Sequence, residues 1–285
     1  AFFTLFSSSY GTAVSAYDYY SEYELFVYNL EDGITTRYEI NPGTDYAASS
    51  PDNFVVLDDA LFFAAETDNY GRELYKFNGT DAPELIDIIG EGSSNPTDLT
   101  VVGDRIYFGG LPDLFSTDSE LYAYDESLGE LPAGNVVMSV ASVLNYSGDT
   151  VLDGVTNPHD LLAVGPVLFF TASDPTNGYS LWLHNALTLT TVQLFNIDSG
   201  SSDIMSTMRA GIYLVFVSPG GSGDLWIYNP LSAVINGESG QNPYKLEVND
   251  SGTSNAGNVF AVDNKVFFSA QDSSDVNELW TYEIY

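Results

Sequence analysis

Residues Leu61 to Phe77, LFFAAETDNYGRELYKF, contain the pattern that decides the fold. An aromatic-rich stretch ends in small residues, crosses a polar turn and enters a second stretch that opens with Glu73, Leu74 and Tyr75. This order predicts two β-strands joined by a turn. The opening triplet recurs six times along the chain, as Glu24-Leu25-Phe26, Glu73-Leu74-Tyr75, Glu120-Leu121-Tyr122, Ser180-Leu181-Trp182, Asp224-Leu225-Trp226 and Glu278-Leu279-Trp280. The period that these leucines define indicates a solenoid, a propeller or another array, here built from strands.

Two further apolar positions keep register with the repeated leucine. The first precedes it at the same distance in every copy except the third, whose turn is longer, at Val14, Phe63, Phe108, Phe170, Leu214 and Phe268. The second precedes the first, at Leu5, Phe54, Leu99, Leu161, Met205 and Val259. Each unit is therefore predicted to begin with two strands joined by a tight turn, such as Gly103-Asp104.

A fourth strand is predicted in the first five units, at 34–40, 83–89, 135–144, 190–197 and 243–249. Four short antiparallel strands in each repeat are typical of a propeller blade. We therefore expect an all-β, six-bladed β-propeller that forms a single domain over 1–285, with units near 1–48, 49–93, 94–153, 154–199, 200–252 and 253–285. The last unit stops at Tyr285, before its fourth strand. Three interpretations are open: the strand does not exist, the natural chain continues, or another chain supplies it.

An unpaired last strand would be an edge that accepts a strand from another chain. Its candidate assembly residues are Leu279, Trp280, Tyr282 and Tyr285. Self-assembly by strand donation is the hypothesis that follows.

Composition limits the classes of partner. The 285 residues are 44% hydrophobic and contain no cysteine, which excludes disulfides and thiol chemistry in this sequence. Forty acidic residues against seven basic ones give a net charge of -33, which disfavours nucleic acid and attracts divalent cations. No apolar run is long enough to predict insertion into a membrane.

Nearly the whole chain, and best the stretch from Ser49 to Asp125, resembles a known repeat family. The segments Arg72 to Thr80, RELYKFNGT, and Asn95 to Thr100, NPTDLT, are similar to the ELWxTDGT-type repeats of secreted and cell-surface proteins. The sequence departs from that pattern where the DGT element weakens after the second unit and where Ser202 and Ala256 replace the proline. The resemblance implies a β-propeller, an extracellular location and a structural or adhesive role without a reaction.

Candidate chemistry is sparse, and carboxylates are the main option. Asn53, Asp98, Asp160 and Asn258 precede the first-strand apolar position in four units. Since first strands line the channel of a propeller, these side chains could hold Ca²⁺ through oxygen ligands, or each could cap its own strand. A calcium-dependent hydrolase would need such a ring. The two histidines, His159 and His184, lie in different units and do not predict a zinc site.

Aromatic residues and sequons leave two further options open. Trp182, Trp226 and Trp280 are expected in the core, whereas Tyr19, Tyr20 and Tyr70 in turns would suit stacking against sugar rings. Asn78, Asn145 and Asn249 begin Asn-x-Ser/Thr sequons and are candidate glycosylation sites. The sequence favours a non-enzymatic structural or adhesive propeller that binds protein partners or identical subunits. A lectin that binds glycans is the first alternative, and a calcium-dependent six-bladed hydrolase is the second.

Overall fold

The computed structural model describes residues 4–7, 11–17, 23–42, 48–90, 92–126, 137–139, 155–175, 178–196, 206–217, 223–229, 244–246, 248–249, 254–274 and 276–284. Over these ranges the protein is an all-β structure of six small sheets. A search of the same ranges for a helix able to cross a membrane found none.

In the described ranges, twenty-three strands form the six sheets. Sheet 1 contains β1 (Thr4–Ser7), β2 (Gly11–Tyr17), β3 (Tyr23–Tyr28) and β4 (Thr35–Tyr38); sheet 2 contains β5 (Asp52–Leu57), β6 (Ala60–Thr67), β7 (Gly71–Phe77) and β8 (Glu84–Ile86). Sheet 3 contains β9 (Thr97–Val102), β10 (Arg105–Gly110), β11 (Glu120–Tyr124) and β12 (Val137–Ser139); sheet 4 contains β13 (Thr156–Val164), β14 (Val167–Asp174), β15 (Gly178–Asn185) and β16 (Thr190–Asn196). Sheet 5 contains β17 (Ser206–Ala210), β18 (Tyr213–Val217), β19 (Leu225–Tyr228) and β20 (Tyr244–Leu246); sheet 6 contains β21 (Gly257–Val262), β22 (Lys265–Gln271) and β23 (Asn277–Glu283).

Within each sheet, strands that are consecutive in the chain pair antiparallel with each other. The five predicted fourth strands are confirmed as β4, β8, β12, β16 and β20, each inside its predicted range. Sheet 6 has three strands among the described residues, as predicted.

The chain divides into two compact units, Ala1–Gly148 and Asp149–Tyr285. In the first unit, β1 lies beside β5 and β5 lies beside β9, so the first strands of successive sheets are neighbours. In the second unit, β13 lies beside β17 and β17 beside β21. Each unit thus arranges its sheets with their first strands together, as the blades of a propeller are arranged.

The repeated leucine explains how successive sheets pack. Leu25 of sheet 1 lies in one apolar cluster with Phe63 and Phe77 of sheet 2, and Leu74 of sheet 2 lies in another with Phe108 and Tyr124 of sheet 3. In the second unit the same position of sheet 4 and of sheet 5 packs against the next sheet, at Leu181 with Phe216 and at Leu225 with Phe268. Each of these sheets therefore presents its leucine face to the sheet that follows it.

Candidate interaction surface

In sheets 1, 2 and 5 the acidic residue before the repeated leucine is buried and binds a serine of the next repeat. The Glu73 carboxylate accepts hydrogen bonds from the Ser94 hydroxyl at 2.6 Å and from the Ser94 amide at 2.7 Å. Glu24 accepts from the Ser49 hydroxyl at 2.7 Å, and Asp224 accepts from the Ser254 hydroxyl at 3.1 Å. We call these three pairs, Glu24–Ser49, Glu73–Ser94 and Asp224–Ser254, the carboxylate–serine clasps.

Each clasp fixes one sheet to the segment that begins the next. The Ser49 carbonyl accepts from the Glu66 amide at 2.8 Å, and the equivalent carbonyls of Ser94 and Ser254 accept from Leu111 at 2.6 Å and from Gln271 at 2.7 Å. Burial raises the pKa values of Glu24 and Glu73 above their ordinary value of 4.5, opposed by hydrogen bonds from Ser49 and Ser94. The clasps were missed by sequence reasoning, although a polar residue before all six leucines was the available signal.

The leucine face of sheet 6 is exposed. Leu279 is 78% exposed, whereas Leu74 at the same position of sheet 2 is 0% exposed. Phe260 pairs with Phe267, which pairs with Thr281 on the next strand, and Leu279 lies two residues before Thr281, so these side chains share one face. Phe260 is 61% exposed and Val262 is 49% exposed. We call Phe260, Val262, Phe267 and Leu279 the open face.

The opposite face of sheet 6 is part of a core. Val266, Phe268 and Ala270 are buried in a cluster with residues of sheet 5, and Trp280 and Tyr282 pack against that cluster. The Trp280 indole Nε1 donates to the Ala270 carbonyl at 3.1 Å. Of the predicted assembly residues, Leu279 is thus exposed, Trp280 and Tyr282 lie on the packed face, and Tyr285 lies outside the described residues.

The four predicted calcium ligands share a backbone role. Asn53, Asp98, Asp160 and Asn258 have φ between 49° and 55°, in the left-handed region that Asn and Asp tolerate better than most residues. Each lies where the pairing of the first strand with the second is interrupted by a β-bulge. This geometry is a third reason for an Asn or Asp at the position, besides a metal ligand and a strand cap.

The side chains at the candidate metal positions and the two histidines have the following surroundings. Among the described residues, no group of three or more histidine, aspartate or glutamate side chains is placed to hold a metal ion. The Asn258 amide donates to the Ser269 hydroxyl at 3.1 Å. His184 is buried with Nδ1 2.8 Å from the Thr191 hydroxyl, and His159 Nδ1 lies 2.8 Å from the Asn157 carbonyl. The Ca²⁺ site remains a prediction.

The sequon asparagines have different environments. Asn78 is exposed in a turn, where its side-chain oxygen Oδ1 accepts from the backbone amides of Thr80 at 3.0 Å and Asp81 at 2.9 Å. Asn249 is buried, and its Nδ2 donates to the Asp272 carbonyl at 2.9 Å. A glycan on Asn249 would therefore displace this packing, whereas one on Asn78 would extend into solvent. Asn145 lies outside the described residues.

The structure describes some of the aromatic residues that were predicted for the core or for exposed turns. Trp182 is buried, as expected for the core, and Trp226 stacks on Phe216 with ring centroids 6.4 Å apart. Tyr70 is exposed in the turn between β6 and β7. Tyr19 and Tyr20 lie outside the part of the chain that the structure describes.

Comparison with known proteins gives a fold and no family. No protein-family model matches the chain, and a search of characterised proteins found no match. Among solved structures, a puromycin-hydrolysing peptidase of Mycobacterium tuberculosis matches with a TM-score of 0.53 and 10% identity over 95% of this chain and 41% of the peptidase chain. Dihydro-heme d1 dehydrogenase NirN matches with a TM-score of 0.54 and 11% identity over 95% of this chain and 52% of its own.

Both neighbours are of the β-propeller type, and the fold of this protein is accordingly propeller-like. The chain spans 41% and 52% of the length of these two proteins. At such low identity the likeness concerns the fold alone.

Proposed function

We propose that the six sheets are propeller blades in series, with the leucine face of the last blade left for a partner, and that the protein is a non-enzymatic structural or adhesive module that acts outside the cell. The propeller-like neighbours support the first part. The resemblance to secreted ELWxTDGT-type repeats supports the second. A net charge of -33 suits a protein that stays soluble in a salty exterior, where ions screen the repulsion between its carboxylates.

The observation that carries the proposal is the open face. Leu279 and Phe260 are large apolar side chains that expose 78% and 61% of their surface on the same sheet face. Contiguous exposed apolar patches on folded proteins mark sites of interaction with other molecules, because water contact with them is unfavourable. A protein partner with a matching apolar surface would remove this contact.

The rest of each unit provides a rigid support for that face. The apolar clusters between successive sheets and the buried carboxylate–serine clasps hold neighbouring sheets together. A surface built on packed strands loses little conformational entropy when it binds, which favours a structural role.

An adhesion assay tests this function. Beads coated with the protein are brought to beads coated with the same chain, with an unrelated globular protein or with polysaccharide, and the variant Leu279→Glu is compared with Leu187→Glu. Leu187 is equally exposed, at 78%, but lies in the turn between β15 and β16. We expect adhesion to protein-coated beads that Leu279→Glu abolishes and Leu187→Glu retains. Absence of adhesion to any protein-coated bead would overturn the proposal.

A lectin is the second candidate, and exposed Tyr70 favours it. An aromatic ring in a turn stacks on the apolar face of a sugar, and Tyr70 is 43% exposed. Binding to polysaccharide beads or to a glycan array that Tyr70→Ala removes would support this function. Silence on the array together with adhesion to protein would reject it.

A further inference from the structure

The sheets inside the chain show what covers a leucine face. An aromatic pair joins the second strand of one sheet to the third strand of the next: Phe62 and Tyr124 have ring centroids 5.0 Å apart, and Phe169 and Tyr228 have centroids 5.5 Å apart. Phe267 of sheet 6 occupies the position of Phe62, because Phe62 pairs with Val55 as Phe267 pairs with Phe260. The open face thus carries half of a contact that the chain makes elsewhere.

Sheet 1 carries the other half of that contact. Tyr28 pairs with Thr12 as Tyr124 pairs with Ile106 and Tyr228 with Leu214, so Tyr28 holds the same register position. Tyr28 is 43% exposed, although Tyr124 and Tyr228 are buried against a preceding sheet. Phe26 lies on the same face of β3, two residues earlier. We call Phe26 and Tyr28 the Tyr28 face.

We propose that the open face of sheet 6 binds the Tyr28 face of sheet 1 in a second copy of the chain. This inference rests on the proposed function and names the partner of the same surface. The contact repeats the packing of sheet 2 on sheet 3, with Phe267 against Tyr28 of the second copy in the place of Phe62 against Tyr124. Because the two surfaces differ, the contact is head-to-tail and the complex of two copies retains one free surface of each kind, so assembly continues beyond a dimer unless a ring closes.

Charge gives this assembly a salt dependence. Two copies that each carry a net charge of -33 repel each other, and added salt screens that repulsion while leaving apolar contact intact. Association should therefore strengthen as sodium chloride is raised from about 0.05 to about 0.5 M, the opposite of an interface built on ion pairs.

Cross-linking in trans tests the inference without altering the proposed contact residues. Thr281 pairs with Phe267, and Thr35 pairs with Tyr28; both threonines are exposed, and the chain contains no natural cysteine. In sheet 2 the position of Thr281 is held by Lys76, whose Nζ reaches the Glu126 carboxylate beyond β11, so this position lies near the following sheet. The single variants Thr281→Cys and Thr35→Cys are mixed and treated with a short bismaleimide.

We expect a covalent species of two chains from the mixture, at least tenfold more than from either variant alone. Adding Leu279→Glu to the Thr281→Cys chain should abolish it, and adding Leu187→Glu should not. A covalent bond formed within one chain by the double variant Thr281→Cys/Thr35→Cys, without products between chains, would assign the open face to the same molecule and overturn the inference. Absence of any cross-link, with both cysteines reactive to a monofunctional maleimide, would overturn it as well.

These outcomes are separable from the proposed function. Adhesion to unrelated protein that depends on Leu279, combined with no cross-link between copies, would leave the adhesive function in place and assign the face to a different protein. Loss of both would reject the two together.

Discussion

Sheets 2 and 6 have the same register and opposite surroundings. Leu74 and Leu279 follow an acidic residue, precede an aromatic residue and pair with the same strand of their sheets, yet one is 0% and the other 78% exposed. Sheet 3 follows sheet 2 and covers its leucine face, whereas the leucine face of sheet 6 is exposed. The repeat therefore gives each sheet an apolar leucine face that suits a neighbouring sheet. Whether that face is buried depends on the presence of the neighbouring sheet and not on the sequence of the strand.

The largest expected effect comes from truncating the two leucines. Leu74→Ala removes a buried side chain and should lower the free energy of unfolding by about 2–5 kcal/mol. Leu279→Ala should change it by less than about 0.5 kcal/mol in dilute protein, because the side chain is exposed. Urea unfolding followed by circular dichroism measures both, and equal losses would contradict the comparison.

The acidic residues that precede these two leucines should show the same contrast in stability, with a smaller loss. Glu73→Ala leaves the buried amide of Ser94 and the half-buried amide of Ile88 without their acceptor, at a cost of about 1–3 kcal/mol. Glu278 at the same position of sheet 6 is exposed, so Glu278→Ala should be nearly neutral. The same unfolding measurement applies, with Ser94→Ala as a second way to weaken the clasp.

The clasp of sheet 2 should also make the free energy of unfolding depend on pH. Burial raises the pKa of Glu73 in the folded protein above its ordinary value of 4.5. Between the unfolded and folded pKa values the folded state binds more protons, so stability falls as pH rises through that window, by at most about 1.4 kcal/mol per pH unit. Glu73→Gln should reduce this slope. If stability fell more steeply with pH in the Glu73→Gln variant than in the wild type, the predicted direction of the Glu73 contribution would be wrong.

The smallest expected loss of stability comes from substitutions in the β-bulges, and it should be the same in sheet 2 and in sheet 6. Asn53 and Asn258 both have positive φ, at 55° and 49°, in bulges of their first strands. Replacement by valine should cost about 1 kcal/mol at either site, and replacement by glycine should be nearly neutral, because strain in the left-handed region is local. Loss of a Ca²⁺ response in either variant, measured by calorimetric titration, would instead favour the predicted metal site.

Much of the fold follows from the sequence because the repeat fixes register. The leucine, the apolar position in register before it and the tight turns placed the second and third strands, and β16 begins at the predicted Thr190. These features depend on local alternation and turn chemistry, which a single sequence displays.

The surface was harder to predict because exposure depends on neighbouring sheets. The sequence predicted the edge of β23 as the assembly element. In the structure the exposed apolar residues Phe260, Val262 and Leu279 share the open face, and the sequence did not single out Phe260 among its many aromatic residues. The sequence also did not predict the β-bulges with a left-handed residue, since an Asn or Asp before an apolar residue is equally compatible with a metal ligand or a strand cap. The recurring pair of Asn95 and Asp98 around Pro96 was the available signal.

The mass in solution tests the central claim most directly. Light scattering coupled to size exclusion would follow the chain over a range of concentrations at low and high salt, beside Leu279→Glu and its matched control Leu187→Glu. We predict that the wild type and Leu187→Glu grow beyond 31.0 kDa with concentration and more so at high salt, whereas Leu279→Glu stays at 31.0 kDa. A wild-type protein that remains at 31.0 kDa under every condition would contradict the claim that the open face joins one copy to the next.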